Sequence, residues 1–247
     1  MTRTILFALL AGMLLTSCNP QQSPEPVNPN ASVEARALLS YLYETRGEQI
    51  LSGQHNYPRS EKALLQSTDS VIAITGKTPV IWGSDFGGHV RRDTMIREAI
   101  RQHEQGHIIT LMWHAACPVD TIPEETNPIR YMVSDQEWKD IITPGTRFHQ
   151  RLLEQYDAVA EGLKVLQEKN IPVLWRPYHE MNGIWFWWGN HPGDQGFRAL
   201  WDIMYRYFTE EHELNNLLWV WNANGPRDWE NDQAYAYDLF FPGLETV

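Results

Sequence analysis

Short apolar runs rich in β-branched residues alternate with amphipathic segments along most of this 247-residue chain. This order is typical of a parallel sheet whose strands are joined by crossover helices. Apolar residues spaced three and four apart between Phe148 and Leu166 indicate one long helix, and others are expected over 33–45, 93–105 and 195–213. Five strands are predicted, over residues 50–56, 79–85, 107–114, 172–179 and 217–222. The pattern predicts an α/β fold, and the length of the chain is near that of a minimal (β/α)8 TIM barrel, about 250 residues, of which the five strands would form about five β/α units.

The first residues have the pattern of an export signal. Arg3 provides a short basic region, an apolar run follows, and Leu-Thr-Ser-Cys at 15–18 resembles the bacterial lipoprotein box. Residues 1–17 are therefore interpreted as a lipoprotein signal peptide and Cys18 as the lipidation site, with an ordinary buried N-terminal helix as the alternative. The protein is expected to be exported and anchored to a membrane, in the periplasm or at the cell surface.

The Pro-, Asn- and Gln-rich residues that follow predict a flexible tether over 18–32, so that the catalytic domain would begin at residue 33 and continue to 247. A formal net charge of -11 argues against nucleic acid as a partner and is compatible with a neutral polysaccharide. Cys117, the other cysteine, is interpreted as a small apolar side chain at the barrel rim, with a nucleophilic role beside His114 as the alternative.

The run WRPYHEMNGIWFWWG at residues 175–189 has the composition of a sugar-cleaving site. Glu180 lies between histidine and asparagine, and a carboxylic acid is needed to protonate a glycosidic leaving group. Arg176, His179 and Asn182 add donors, and the aromatic residues 185–188 could stack on sugar rings. The alternative is that these aromatics belong to the core and that Glu180 is a solvated surface charge.

With this run, four further segments resemble glycoside hydrolase family 26, a family of endo-β-mannanases and related β-glycanases. They are ILSGQHN at 50–56, PVIWGSDFGG at 79–88, HIITLMWH at 107–114 and LLWVWNAN at 217–224. The resemblance implies Glu180 as general acid and then general base, with His114, His179 and Trp185 around the sugar next to the scissile bond. It also implies a second glutamate, the nucleophile, beyond Val247. The sequence is therefore expected to be a piece of a longer reading frame, with a degenerate copy as the alternative.

Polar residues at the carboxyl ends of predicted strands should converge in such a barrel, which adds Asp85 and Asn222 to the candidate substrate-binding residues. Neighbouring residues His179 and Glu180 point to opposite faces of a regular strand, so both reach the site only if the strand ends before them. The loops 118–144 and 225–238 are expected to shape outer subsites. Their aromatics could stack on distal sugars or pack internally, and they are Tyr131, Trp138 and Trp229.

The predicted function is a retaining endo-β-glycanase that hydrolyses β-1,4-mannan, galactomannan or glucomannan as a monomer without a cofactor. β-1,3-Xylan and mixed-linkage glucan are alternative substrates, and a non-catalytic glycan-binding lipoprotein is the alternative of another class. A metal-dependent hydrolase is a further alternative, because several side chains could supply N and O ligands. The sequence has no HxH or HExxH spacing among them, so no metal site is predicted. The residues considered for it are Asp85, His89, His114, His179 and Glu180.

Overall fold

The computed structural model describes residues 24–87, 91–225 and 236–243. The predicted signal peptide, the lipidation site Cys18, and His89 and Trp229 lie outside the described residues. Of the helices in the described ranges, none combines the length and the apolar character that crossing a membrane requires.

Five parallel strands form one sheet in chain order, each paired with the next. They are β1 (Gly53–His55), β2 (Ile81–Asp85), β3 (Ile108–Trp113), β4 (Val173–Pro177) and β5 (Leu217–Trp219). The helices are α1 (Val33–Thr45), α2 (Ala63–Thr75), α3 (Arg92–Glu104), α4 (Asp135–Ile142), α5 (Arg147–Glu168), α6 (Phe197–Arg206) and α7 (Tyr237–Phe240). The predicted fold, about five β/α units of a TIM barrel, is confirmed.

Side-chain caps mark the amino ends of three helices, α1, α4 and α5. Thr146 accepts a hydrogen bond from the backbone of His149 at the start of α5, and Ser134 forms a capping box with Glu137 at the start of α4. The predicted helix 195–213 is shorter and is followed by a π-helical turn, Tyr207–Glu211. A π turn shifts the helical register by one residue, which a 3.6-residue pattern does not reveal.

Aromatic side chains fill the space between the sheet and α5 and α6. Trp175 on β4, Trp201 on α6 and Phe208 in the π turn are fully buried, and Trp175 packs on Phe208 with ring centroids 6.1 Å apart. Apolar residues of α5 at the predicted spacing line the same core, among them Leu152, Tyr156, Val159 and Leu163. This rigid layer supports the carboxyl ends of the strands.

The predicted tether is wrong over residues 27–32, which pack against the folded unit. The Asn28 side chain is buried and donates to the carbonyl of Leu214 (3.0 Å), while Tyr205 donates its hydroxyl hydrogen to the carbonyl of Val27 (3.0 Å). The backbone of Ser32 donates to Asn215 (2.7 Å). An asparagine-rich segment can satisfy carbonyls that precede a strand, and composition alone does not show this.

We expect Asn28→Ala to lower the free energy of unfolding by about 1–3 kcal/mol, because it leaves the buried Leu214 carbonyl without its donor. Urea denaturation at pH 7 measures this. Asn30→Ala is the matched control, since Asn30 is exposed and its backbone bond to Asn28 does not need its side chain. Equal stability of Asn28→Ala and wild type would indicate that the segment is a tether after all.

Candidate active site

The end of β4 determines where the central carboxylate lies. β4 ends at Pro177, and Tyr178 and Glu180 have left-handed backbones with φ of 49° and 57°. The Glu180 backbone donates to the carbonyl of Asn222 beyond β5 (2.8 Å). The prediction that His179 and Glu180 both reach the site because the strand has ended is confirmed, since both line the same cleft.

This cleft has a volume of about 810 Å³ and lies at the carboxyl ends of the strands. Its size is within the range of small-ligand sites, about 300–1,000 Å³. Six predicted site residues line it: Asp85, His114, His179, Glu180, Trp185 and Asn222. They come from different strands and loops, as convergence at one edge of a parallel sheet requires.

Glu180 and Trp185 form a direct pair in this cleft. The indole N–H of Trp185 donates to Oε2 of Glu180 at 2.8 Å, and both side chains are half-buried. The indole therefore orients the carboxyl group while leaving its ring in the cleft. A carboxyl group oriented in a ligand-sized cleft is suited to proton transfer.

Asp85 holds His114 in one orientation. Oδ1 of Asp85 accepts from the backbones of His114 (3.0 Å) and Gly87 (2.8 Å), and Oδ2 is in close contact with Nδ1 of His114. Burial acts to raise the pKa of Asp85, but the bonds from His114 and Gly87 outweigh it and hold the pKa below its ordinary value. Asp85 thus orients His114, which lines the cleft, and direct contact of Asp85 with a sugar stays a prediction.

His179 is held neutral. Burial is the main cause that lowers the pKa of His179 to about 3, and the electrostatic effect of His114 adds to it. The His179 ring lies edge-on to the His114 ring, with centroids 4.5 Å apart. Its buried Nδ1 has no partner within the described residues. A neutral imidazole has one donor and one acceptor nitrogen, which suits it to sugar hydroxyls.

Arg176 and Asn222 join β4 to the loop after β5. Nη1 of Arg176 donates to Oδ1 of Asn222 (2.9 Å), and Nη2 contacts Sδ of Met112 on β3 (3.5 Å). Burial lowers the pKa of Arg176, partly offset by the Asp85 carboxylate. Asn222 lines the cleft, and its side-chain amide oxygen is held by the Arg176 guanidinium.

The prediction that Asn182 contacts substrate is wrong. Its side chain is fully buried, lies outside the cleft lining, and is bonded at both ends to the backbone of Asn224. In the sequence, the position of Asn182 close to Glu180 suggests a ligand contact. In the structure, its side chain instead joins the loop after β4 to the loop after β5.

Two cleft residues on the β1 side were not identified from the sequence. His55 ends β1 and lines the cleft, and Tyr57 packs edge-on to it with ring centroids 4.7 Å apart. Burial lowers the pKa of His55 to about 4. The rule that singles out Asp85, a polar residue at the carboxyl end of a predicted strand, applies equally to His55.

The aromatic run divides between core and cleft. Trp187 and Trp188 are fully buried, Phe186 stacks on Trp188 with centroids 4.4 Å apart, and Phe186 and Trp185 line the cleft. The core interpretation thus holds for Trp187 and Trp188, and Phe186 is buried in the core while also lining the cleft. Stacking of Trp185 on a sugar stays a prediction. The predicted loop 118–144 contains α4, and Trp138 on this helix is a packing residue, because it is buried and stacks on His191.

The remaining alternatives concern a thiol and a metal. Burial raises the pKa of Cys117 to about 12, which contradicts a nucleophilic role and agrees with an apolar rim position. In the part of the chain that the structure describes, no three His, Cys, Asp or Glu side chains come together as a metal site.

A parallel β/α sheet whose carboxyl strand ends carry a carboxyl group, histidines and an indole in one cleft has the arrangement of the barrel class of α/β proteins, in which sites lie at that edge. The chain belongs to glycosyl hydrolase family 26, whose family model matches residues 27–247.

Named relatives of this family resemble the chain in sequence and structure. It is 32% identical over 240 residues to a mannan endo-1,4-beta-mannosidase of Thermothelomyces thermophilus, covering 89% of this chain and 44% of that protein. The solved structure of GH26A from Muricauda sp. MAR_2010_75 is 44% identical with a TM-score of 0.82, covering 89% of this chain and 72% of that one. A beta-mannanase from a symbiotic protist of the termite Reticulitermes speratus is 28% identical with a TM-score of 0.77, covering 90% and 69%.

The chain spans less than half of the length of the Thermothelomyces relative and of two Piromyces mannan endo-1,4-beta-mannosidases, namely 44%, 34% and 38%.

The Asp85–His114 pair predicts a pH dependence of stability. Because its folded-state pKa is depressed, ionised Asp85 contributes stability above the unfolded-state pKa of about 4, and this is lost as the pH falls through the folded-state value. We expect Asp85→Asn to be less stable than wild type at pH 7 by about 1–3 kcal/mol, with the difference closing at lower pH.

Urea denaturation from pH 7 to pH 3 measures that difference. Asp194→Asn is the control, because this carboxylate is 84% exposed in an ion pair with Arg198 and should show almost no effect. A difference that stays constant with pH would rule out the ionised pair as its source.

Proposed function

We propose that the protein is a retaining endo-β-glycanase that hydrolyses β-1,4-mannan, with Glu180 as general acid and then general base. The observation that carries this proposal is the carboxyl group of Glu180, oriented by Trp185 in a cleft that also contains His114 and His179. The names of the relatives support mannan as the substrate.

In the first step, Glu180 donates its proton to the glycosidic oxygen as the carbon–oxygen bond breaks, and a second carboxylate bonds to the anomeric carbon. In the second step, the Glu180 carboxylate takes a proton from the water that releases the sugar. Among the described cleft residues the other carboxylate is Asp85, whose oxygens are engaged by His114 and Gly87. We therefore propose that the nucleophile comes from outside the described residues.

Sugar binding is proposed to rest on one apolar and two polar features of the cleft. The Trp185 ring offers a face for stacking, while His114 and the neutral His179 offer ring nitrogens for hydroxyl groups. Mannan, galactomannan and glucomannan share this chemistry. The protist relative, whose structure contains a gluco-manno-oligosaccharide, supports including glucomannan.

We also propose that residues 1–17 direct export and that Cys18 is lipidated, which would place the enzyme on a membrane that faces polysaccharide. The lipoprotein-like sequence around Cys18 supports this. Metabolic labelling with a palmitate analogue should modify wild type and leave Cys18→Ala unlabelled, and equal labelling of both would contradict it.

The hydrolase proposal is tested with a reducing-sugar assay on the product of the whole reading frame that encodes these residues. We expect release from mannan and glucomannan, with xylan and mixed-linkage glucan as comparison substrates. Glu180→Gln should lower kcat by about 10²–10⁴-fold, because acid and base assistance are both lost. Glu168→Gln, at an exposed carboxylate that ends α5, is the matched control and should keep full activity.

Hydrolysis of mannan that Glu180→Gln leaves unchanged would contradict the role of Glu180. Tight binding of mannan-oligosaccharides by wild type without product release would instead establish a glycan-binding protein. Faster hydrolysis of xylan or mixed-linkage glucan than of mannan would reassign the substrate.

A further inference from the structure

Asn182 connects the loop that carries Glu180 to the loop that follows β5. Its Nδ2 donates to the carbonyl of Asn224 (3.0 Å), and its Oδ1 accepts from the backbone N–H of the same residue (2.7 Å). The side chain is fully buried. Two hydrogen bonds to one backbone unit fix both the distance and the orientation between the two loops.

Gly183, the next residue, supports the indole of Trp185. Its backbone N–H donates to the carbonyl of Glu180 (2.9 Å), which closes a turn around the acid. A Cβ atom at Gly183 would overlap the six-membered part of the Trp185 ring, so the indole lies directly against the glycine. The position of Gly183 therefore sets the position of the ring.

Trp185 completes the connection to the carboxyl group, since its Nε1 donates to Oε2 of Glu180 at 2.8 Å. A continuous set of contacts thus joins Asn224, Asn182, Gly183, Trp185 and the Glu180 carboxyl. The backbone bond from Glu180 to Asn222 holds the same two loops together but does not act on the side chain.

We propose that Asn182 is a positioning residue that, through Gly183 and Trp185, holds the Glu180 carboxyl where it can protonate the glycosidic oxygen. The inference rests on the proposed function for its catalytic consequence, while the contacts themselves can be tested without activity. A displacement of about 1 Å at a catalytic group costs up to about 100-fold in rate, so a short relay can have a large effect.

The leaving group provides the readout. A sugar hydroxyl leaves poorly without a proton, whereas 2,4-dinitrophenolate leaves without acid assistance. We expect Asn182→Ala to lower kcat/KM on mannan by about 100-fold while kcat/KM on 2,4-dinitrophenyl β-mannobioside changes far less. Gly183→Ala, which displaces the indole but keeps the Asn182–Asn224 bonds, should give the same selective loss.

Asn28→Ala is the matched control, because it also removes a buried asparagine amide, at the amino ends of the strands. It should lower stability but act equally on the two substrates. Equal losses on both substrates in Asn182→Ala and Gly183→Ala, or no loss on mannan, would overturn the proposal.

A measurement that needs no turnover follows the indole N–H of Trp185 by ¹⁵N–¹H NMR, with the resonance assigned from Trp185→Phe. In Asn182→Ala and Gly183→Ala this resonance should shift and exchange faster with water, and in Asn28→Ala it should not. An unchanged resonance in Asn182→Ala would overturn the positioning role of Asn182, whatever the result for Gly183→Ala. A wild-type enzyme that does not cleave mannan would refute the proposed function instead, and the NMR result would still decide the role of Asn182.

Discussion

The site depends on the point at which the chain leaves the sheet after Pro177. Two left-handed residues, Tyr178 and Glu180, each carry a backbone cost of about 1–3 kcal/mol, which persists only where the surroundings enforce the conformation. They do so here because the Tyr178 ring is fully buried and its hydroxyl bonds to that of Tyr156 on α5 (2.8 Å). Through this bond α5, which covers the sheet, helps to fix the backbone that carries Glu180.

Burial and hydrogen bonding together determine the charges in the cleft. Asp85 stays ionised because His114 and Gly87 bond to it, whereas His55 and His179 are neutral because burial opposes their protonation. Neutral imidazoles can donate and accept at once, and they do not attract anions. The two neutral imidazoles are therefore suited to hydroxyl groups, while the positive charges in the cleft lining come from Arg59, Arg130 and Arg176.

The alternation of strands and helices predicted the fold because the hydrophobic periods of both elements are local properties of the sequence. A second rule, that polar residues at the carboxyl ends of parallel strands converge, placed Asp85, His114 and Glu180 at one edge of the sheet. Applied consistently, this second rule would have found His55. What both rules missed depends on contacts between distant residues. Asn28 meets Leu214 across 186 positions and Asn182 meets Asn224 across 42, so the ordered segment before α1 and the loop connection had no local signature.

The aromatic run is divided between the core and the lining of the cleft. Trp187 donates its indole N–H to the carbonyl of Ala115, next to His114, and Trp188 donates to the carbonyl of His179 (both 2.9 Å). These buried rings satisfy the backbone carbonyls of His179 and of the residue that follows His114, while Trp185 in the same run faces Glu180. A loop without regular secondary structure gains the rigidity of the core in this way, because its anchors are packed as densely as any strand. Packing in this segment therefore also determines the shape of the cleft, because Trp187 and Trp188 hold the backbone at and next to its histidines.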